Sequence, residues 1–458
     1  MSSIFSDFQE AQKIGNGVLL ASCLAPVNTA RDPRRLDALS QLSNWQTAPA
    51  DIRHHLFQRP GSVKLPKAEA NCWVDIFVSL WKCVRDLADI SAGIGGDWNR
   101  AFEAYKELCN HLIRGYTNFG FHAWTVPCFH STGKYLRMIA MKADRESKPA
   151  TNGGTFSADL ADDIVNTNQH KRLEEAAWLI NRMFTVCLSD RSELTDSRKW
   201  GIYSTTNLLF KTYFKLNSLP LTRNVIRALD AADDDLPPLH LFPKPQQCTF
   251  KYYRGVIDFL QENYADAEEH LEEALALCYK HSMRNREQIF TYLIPAHILN
   301  HHQLPTQALL DRTPTLSKLL TPLFKAINLG NLRAFDVALA DAEPELVQRR
   351  IYLTLERSRD LCMRNLFRKV LLNAGWEEQK DATTGEVTGK IRRTRIRIEE
   401  FEAAMRVSCR GGDEVVDRDE VECFLAGLVY KNLMKGYIAR DRGIVVLSKA
   451  GAFPGTGV

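Results

Sequence analysis

Between Lys390 and Arg397 the chain sets five cations in eight residues, Lys390, Arg392, Arg393, Arg395 and Arg397, with no acid among them. A phosphate backbone rewards that pattern, because each neutralised phosphate releases counterions and adds salt-dependent affinity. Arg393, Arg395 and Arg397 alternate with Thr394, Ile396 and Ile398, and a period of two predicts a short strand with these arginines on one side. Further on, Lys431 and Lys435 follow from the end of an expected helix, and Arg440 and Arg442 sit at an expected hairpin tip. Contact with RNA or DNA is one reading of these cations. The other is an ordinary solvated face or a protein contact, opposed by Asp413, Glu414, Asp417, Asp419 and Glu420. No aromatic residues interleave with the arginines, so sequence-specific reading by base stacking is not expected. A second group, Arg364, Arg368 and Lys369 in "MRNLFRKVLL", is read as facing a protein partner while Leu366, Val370 and Leu371 anchor the helix inward.

Catalytic chemistry finds little support. His297, His301 and His302 in "HILNHH" include an i, i+4 pair, but there is no HExxH and no nearby acid with a defined role. "HHLF" at His54 is equally unsupported. "AGIGGDW" from Ala92 lacks the preceding strand of a dinucleotide loop, and "GEVTGKI" offers Gly389-Lys390 without Walker spacing or its hydroxyl residue. GxSxG does not occur. The eleven cysteines are never closer than eleven positions apart, which leaves neither a CxxC pair nor a local zinc knuckle. Scattered among apolar residues, they read as buried free thiols in a reducing compartment. No enzyme, metal or other cofactor is expected.

The elements that must position these residues are mostly helical. A chain of 458 residues is too long for one core and implies two or three domains. Its ordinary composition, 45% hydrophobic and 25% charged, excludes collagen and wholesale disorder. The net charge of +4 is weak, but all of it lies after residue 344, where 21 basic residues face 17 acidic ones. No secretory signal or membrane-spanning helix is expected.

"FSDFQEAQKIGNGVLLASCLAP" reads as one or two helices, and "APADIRHHLFQRPGSVKLPK" as loop. Periodicity is clear from Cys72, through Trp73, Phe77, Leu80, Trp81 and Val84, then Phe102, Tyr105, Leu108 and Leu112. "ADRESKPATNGGTFSADLADD" breaks it, and helices resume from His170 to Asn373. Within them Gly255, Tyr264, Ala267, Leu271 and Ala274 approach the spacing of a tetratricopeptide-type helix pair, with Asn263 at the turn. A looser pair turns at Asn217 with Ala228 at its late small position. Tyr252, Tyr253 and Tyr264 read as packing residues, with peptide binding as the rival.

After Trp376, "EEQKDATTGEVTGK" reads as a flexible insert. The arginine strand follows, then a helix from Glu399, and a second helix capped by Asp417 with Glu420 three residues on. Its inward stripe is Val421, Phe424, Leu425, Leu428, Val429 and Met434. "GYIARDRGIVVLSK" folds back at Gly443 as a hairpin. Helix, strand, helix, helix, hairpin is a winged helix. The fold class is therefore mainly α, a tetratricopeptide-like helical-repeat solenoid closed by a C-terminal winged helix. The expected domains are an N-terminal helical region 1–150, a solenoid 160–345 and a winged-helix end 346–454.

Several strings carry a family likeness: "DSRKWG" from Asp196, "NLLFKTYFKLN" from Asn207, "KYYRG" from Lys251, "YLIPAHIL" from Tyr292 and "RNLFRKV" from Arg364. "DEVECFLAGLVYKNLMKGYIA" and "VLSKAGAFP" complete the set. From Leu173 to Pro454 the chain resembles the PCI-domain proteins grouped with COP9 signalosome subunit 12, a family that also includes the PCI subunit of the mRNA-export complex at nuclear pores. The resemblance implies a scaffold subunit of the nucleus and cytoplasm without an active site. It also implies binding to another PCI-domain subunit or large scaffold protein, and to the small acidic peptide shared with the proteasome lid. Export-type members present a positive winged-helix surface to nucleic acid. The basic insert Lys390 to Arg397 is longer than the family pattern. The histidine pair and aspartate of the signalosome's metalloprotease subunit are not in this chain.

Overall fold

The computed structural model describes residues 4–28, 34–36, 39, 46–59, 61–147, 170–380, 387–409 and 417–457. The chain divides into two compact units, Met1–Tyr253 and Arg254–Val458. The division falls inside the stretch read as one solenoid. Among the described residues no helix is long and apolar enough to cross a membrane.

The first unit contains α1 (Ile4–Ile14), α2 (Gly17–Cys23), α3 (Ala48–Arg53), α4 (Lys67–Ala92), α5 (Trp98–Asn118) and α6 (Pro127–Glu146). It continues with α7 (Lys171–Leu188), α8 (Ile202–Lys215), α9 (Leu219–Asp230) and the first part of α10 (Lys244–Leu260). The apolar stripes of α4 and α5 are buried as their periodicity requires. Trp73 stacks on Phe121 with ring centroids 4.5 Å apart, and Phe8 meets Trp73 edge-on. The segment around Pro49 is helical rather than loop. Proline sits in the first turn of α3, where its missing N–H costs nothing, and Ile52 and Leu56 are then buried. The glycines of "AGIGGDW" end α4, with Gly93 as its left-handed cap, and Asp97 caps α5. Asp144 on α6 accepts from the N–H groups of Arg172 and Leu173 at 2.9 and 3.0 Å, satisfying donors that the first turn of α7 leaves open. The N-terminal helices thus share one unit with the first helices of the repeat region.

The second unit begins within α10. Gly255 on that helix faces α11 (Tyr264–Leu277): a Cβ there would lie 2.7 Å from Leu271 Cγ and 3.1 Å from the Ala267 carbonyl. Ala267, Leu271 and Ala274 are buried, so the small residues do hold the pair close. The turn uses a positive φ at Glu262, with Asn263 as N-cap; in the looser pair Asn217 itself takes φ +57°. There follow α12 (Met283–His301), α13 (Gln307–Leu310), α14 (Pro314–Leu329), α15 (Leu332–Gln348), α16 (Tyr352–Glu356) and α17 (Arg359–Asn373).

The winged helix is built on α17. The expected flexible insert instead forms an antiparallel hairpin, β1 (Trp376–Lys380) with β2 (Val387–Arg392), which pairs Trp376 with Arg392. Residues 381–386 lie outside the described residues. Next come β3 (Arg395–Arg397), α18 (Ile398–Ser408), α19 (Arg418–Tyr430), β4 (Gly436–Ala439) and β5 (Ile444–Leu447). The last three strands form an antiparallel sheet in the order β3-β5-β4. Gly443 turns the hairpin at φ +62°. Val421, Leu425, Leu428 and Met434 are buried, whereas Phe424 and Val429 are half-buried at the edge of that stripe. Asp417 caps α19 through the Arg418 N–H at 2.7 Å; Glu420 makes no reciprocal bond among the described residues.

One junction joins repeat and winged helix. The last turn of α14 closes on Gly330 at φ +60°, with Gly330 N–H donating to Ile327 and Asn331 N–H to Ala326. The same carbonyl row is engaged by side chains of the winged helix. Cys362 reaches Ala326, Asn365 donates to Ile327 at 2.9 Å, Lys369 to Leu329 at 2.7 Å and Ser408 to Gly330 at 3.0 Å. Ser408 Oγ also accepts from the Leu332 N–H at 2.8 Å. A Cβ on Gly330 would sit 2.7 Å from the Leu366 nitrogen. Gly427, inside α19, has open space around it. The same substitution therefore acts in opposite directions. Gly330→Ala is expected to cost about 2–4 kcal/mol through its left-handed backbone and the overlap with α17. Gly427→Ala is expected to gain about 0.5–1 kcal/mol from helix propensity. Urea midpoints of the two variants check the signs.

Candidate functional site

The three-stranded sheet has one buried and one solvent face. Ile396 and Val445 point inward, and both are fully buried. On the outer face register sets Arg395 opposite Val446, and Val446 opposite Tyr437; the next row holds Arg397, Ile444 and Ala439. Arg395 and Arg397 are exposed, as the period of two predicts for a strand. Tyr437 is 63% exposed beside them. An aromatic ring therefore shares the face with both arginines, although it lies forty residues further along the chain in β4, which is why spacing within the arginine run did not reveal it.

The other cations divide by whether an acid already holds them. Arg393 stands between the two sheets and off the strand, with its guanidinium 3.4 Å from Glu400 and 3.8 Å from Glu377. Arg392 lies over the Trp376 ring at 5.1 Å. Lys431 pairs with Asp360, and Arg440 with Asp419 at 3.0 Å and Glu422 at 3.3 Å. Lys390, Arg395, Arg397, Lys435 and Arg442 are exposed and carry no ion pair among the described residues. Asp413 and Glu414 lie outside those residues.

Of the three cations read as facing a partner, Arg364 is buried, Arg368 is half-buried and Lys369 is exposed, and each also bonds a backbone carbonyl of the chain. Arg364 is 6% exposed and reaches the His302 carbonyl at 3.4 Å, and burial lowers the pKa of its guanidinium. Arg368 bonds the Thr456 carbonyl at 3.4 Å, and exposed Lys369 caps α14. A helix with Leu366, Val370 and Leu371 inward leaves little free perimeter once α14, α18 and the C-terminal segment pack on it. Beside this cap lies a groove of about 680 Å³, lined by Leu329, Leu366, Val370, Ala403 and Val407.

The tyrosines of the helix pair pack against rings. Tyr253 meets Phe214 at 5.1 Å, and Tyr264 meets Phe259 at 5.5 Å while its hydroxyl accepts from Arg357. The histidines of α12 do have an acid nearby. Glu268 on α11 lies 2.6 Å from His297 Nδ1 and 3.1 Å from His301 Nε2, and Asn300 donates to its second oxygen. Burial pushes this carboxyl up, but the Asn300 and histidine contacts outweigh it and hold the group below the ordinary glutamate range. The first unit carries a further basic group not singled out by sequence: His130, Lys134 and Arg137 on α6 face Lys211 of α8. Burial first, then mutual repulsion, lowers the pKa of Lys211.

Burial withdraws most of the nucleophile candidates. Eight of the eleven cysteines are buried, Cys248 and Cys409 are half-buried, and Cys423 alone is exposed. Desolvation raises the thiols of Cys23, Cys72, Cys187 and Cys362 to about 12. All eleven are free.

The PCI domain family model matches residues 339–449, from the middle of α15 through β5. The chain is 48% identical to the "Protein CSN12 homolog" of Gibberella zeae over the full length of both. It is 38% identical to the "Protein CSN12 homolog" of Schizosaccharomyces pombe over 77% of each chain. With "PCI domain-containing protein 2" of Xenopus laevis it shares 30% identity, covering 80% of this chain and 82% of that one.

The thiolate is the reactive form, so raised pKa values suppress alkylation at neutral pH. In the native protein at pH 8, a maleimide is expected to label Cys423 first and Cys248 and Cys409 more slowly. The other eight are buried away from the reagent and should react only after unfolding. Peptide mapping of the time course checks this; rapid labelling of Cys23 or Cys362 would contradict the packing described.

Proposed function

Because this chain belongs to the PCI-domain family of CSN12 homologues and PCI domain-containing protein 2, we propose that it is a non-catalytic scaffold subunit of a COP9 signalosome-like or related PCI complex. The observation that carries the proposal is the outer face of the winged-helix sheet. Arg395, Arg397 and Tyr437 stand on it without an internal partner for either arginine among the described residues. Arginine and tyrosine are the residue types that dominate binding energy at protein interfaces. The outer edge of β4 is unpaired by any strand among the described residues, so an incoming chain can extend the sheet. In this reading α14 of the second unit holds the winged helix in fixed geometry. The partners are another PCI-domain subunit or large scaffold protein and the small acidic proteasome-lid peptide, in the nucleus and cytoplasm.

A second reading, an adaptor of the nuclear mRNA-export complex that binds nucleic acid, is favoured by the same uncompensated cations. Lys390, Arg395, Arg397, Lys435 and Arg442 answer to phosphates, and Tyr437 supplies a stacking surface.

Affinity purification of the tagged full chain from its own cells, with mass spectrometry, is expected to recover signalosome subunits. Recovery of a large export scaffold with nuclear-pore proteins would move the function to messenger-RNA export. Recovery of no PCI-domain or scaffold partner would sink both.

The sheet face has its own test. Replacing Arg395 and Arg397 by Ala is expected to release the captured partner without changing the unfolding midpoint. If nucleic acid is the ligand, the double variant should flatten the slope of log affinity against log salt by about 2, roughly one for each phosphate contact. Arg440→Ala, which removes a cation already held by Asp419 and Glu422, should leave that slope close to wild type. Equal slopes in all three proteins would return the arginines to a solvated surface.

A further inference from the structure

The histidines of α12 and the carboxylate of α11 form a constellation that the scaffold reading does not use. His297 and His301 stand one helical turn apart, so both imidazoles leave the same face of α12. Their rings are 4.6 Å apart between centroids. Glu268 comes from the neighbouring helix and meets both, and its side chain is only 10% exposed. Asn300 lies between the histidines in sequence. Its amide bridges Glu268 Oε2 at 2.6 Å and the Tyr264 carbonyl at 2.9 Å, fixing the carboxylate from behind.

We propose that Glu268, His297 and His301 form a binding site for one divalent first-row transition-metal ion, zinc by the chemistry of its ligands. Two imidazoles and one carboxylate are nitrogen-rich and suit zinc, cobalt or nickel; calcium and magnesium require oxygen sets. One donor atom from each residue lies within 4.8 Å of the others. Metal–ligand bonds of about 2.0–2.2 Å place tetrahedral donors about 3.3–3.6 Å apart. The Glu268 contacts at 2.6 and 3.1 Å need only open slightly for the ion to take the place of those hydrogen bonds. The side chains of His297 and His301 remain 40% and 53% exposed, which gives the ion an entry path and leaves a fourth position for water. Asn300 acts as a positioning residue that orients the carboxylate, as outer-shell partners do in metal sites. The bound ion would tie α11 to α12 beside the close Gly255 contact.

The test is titration of the full chain, stripped by chelator, with zinc and then with cobalt. Wild type is expected to bind one equivalent through this site, to show the visible absorption of tetrahedral cobalt, and to unfold at a higher temperature with zinc present. His301→Ala, at a half-exposed position that the fold tolerates, should weaken this binding at least a hundredfold and abolish both the absorption and the thermal shift. Glu268→Gln preserves the shape of the carboxylate and should do the same. Asn300→Ala should lower affinity about 10–100-fold while leaving the stoichiometry at one. Circular dichroism in the absence of metal verifies that each variant is folded. Identical titrations in wild type and His301→Ala, whether from binding at thiols elsewhere or from no binding at all, would overturn the assignment.

Discussion

At the end of α14, a row of backbone carbonyls is answered by side chains arriving from another part of the fold. A helix leaves its last four carbonyls without intrahelical partners, and such groups are costly to bury unsatisfied. Here Leu329 and the Gly330 cap are met by Lys369 and Ser408, while Ala326 and Ile327, which already accept from the Asn331 and Gly330 N–H groups, also receive Cys362 and Asn365. Gly330 supplies both the left-handed backbone and the absence of a Cβ that let Leu366 approach. Because these contacts come from both α17 and α18, the winged helix is oriented on its own last helical pair by polar geometry as well as apolar packing. Phe367 against Phe401, both fully buried, adds the apolar part.

This constraint also explains why the cations of "RNLFRKV" bond backbone carbonyls of the chain. A helix that must satisfy a neighbour's carbonyls and bury Leu366, Phe367 and Val370 has most of its circumference committed. Buried Arg364 and exposed Lys369 donate to the carbonyls of His302 and Leu329, and Arg368 to that of Thr456 in the C-terminal segment. The exposed cations without an ion pair among the described residues include Arg395 and Arg397 on β3. There the pleat separates Ile396 from its two flanking arginines, and the acids of α18 and α19 claim Arg393 and Arg440 but leave Arg395 and Arg397. Five basic residues in a row are thus not equivalent as ligands. Two lie on the hairpin strand, one is paired at the crossing between sheets, and two face solvent together.

Composition and periodicity were enough for the helices, because a stripe such as Trp73, Phe77, Leu80, Trp81 and Val84 has only one way to be buried along a helix. They also sufficed for the helix pair around Gly255, where small residues at fixed spacing imply close backbone approach, and for the order of winged-helix elements. Likewise, the scattered cysteines implied burial. Local signals failed where a context of several residues changed their meaning. Pro49 reads as a loop marker until it is placed in a first helical turn, and "EEQKDATTGEVTGK" reads as a flexible insert although strands β1 and β2 pair there.

The site required tertiary structure throughout, since its groups lie far apart along the chain. Tyr437 joins Arg395 only through the register of two strands with β5. Glu268 joins His297 only because two helices cross at that point. Which cations are free depends on acids that no spacing rule connects to them. Sequence alone determined the helical architecture, the winged-helix end and the family likeness, since apolar periodicity and turn residues act between near neighbours. Which charges are spent, which ring accompanies the arginines and which acid meets the histidines were decided by packing, because electrostatic pairing depends on distance in space rather than position in the chain.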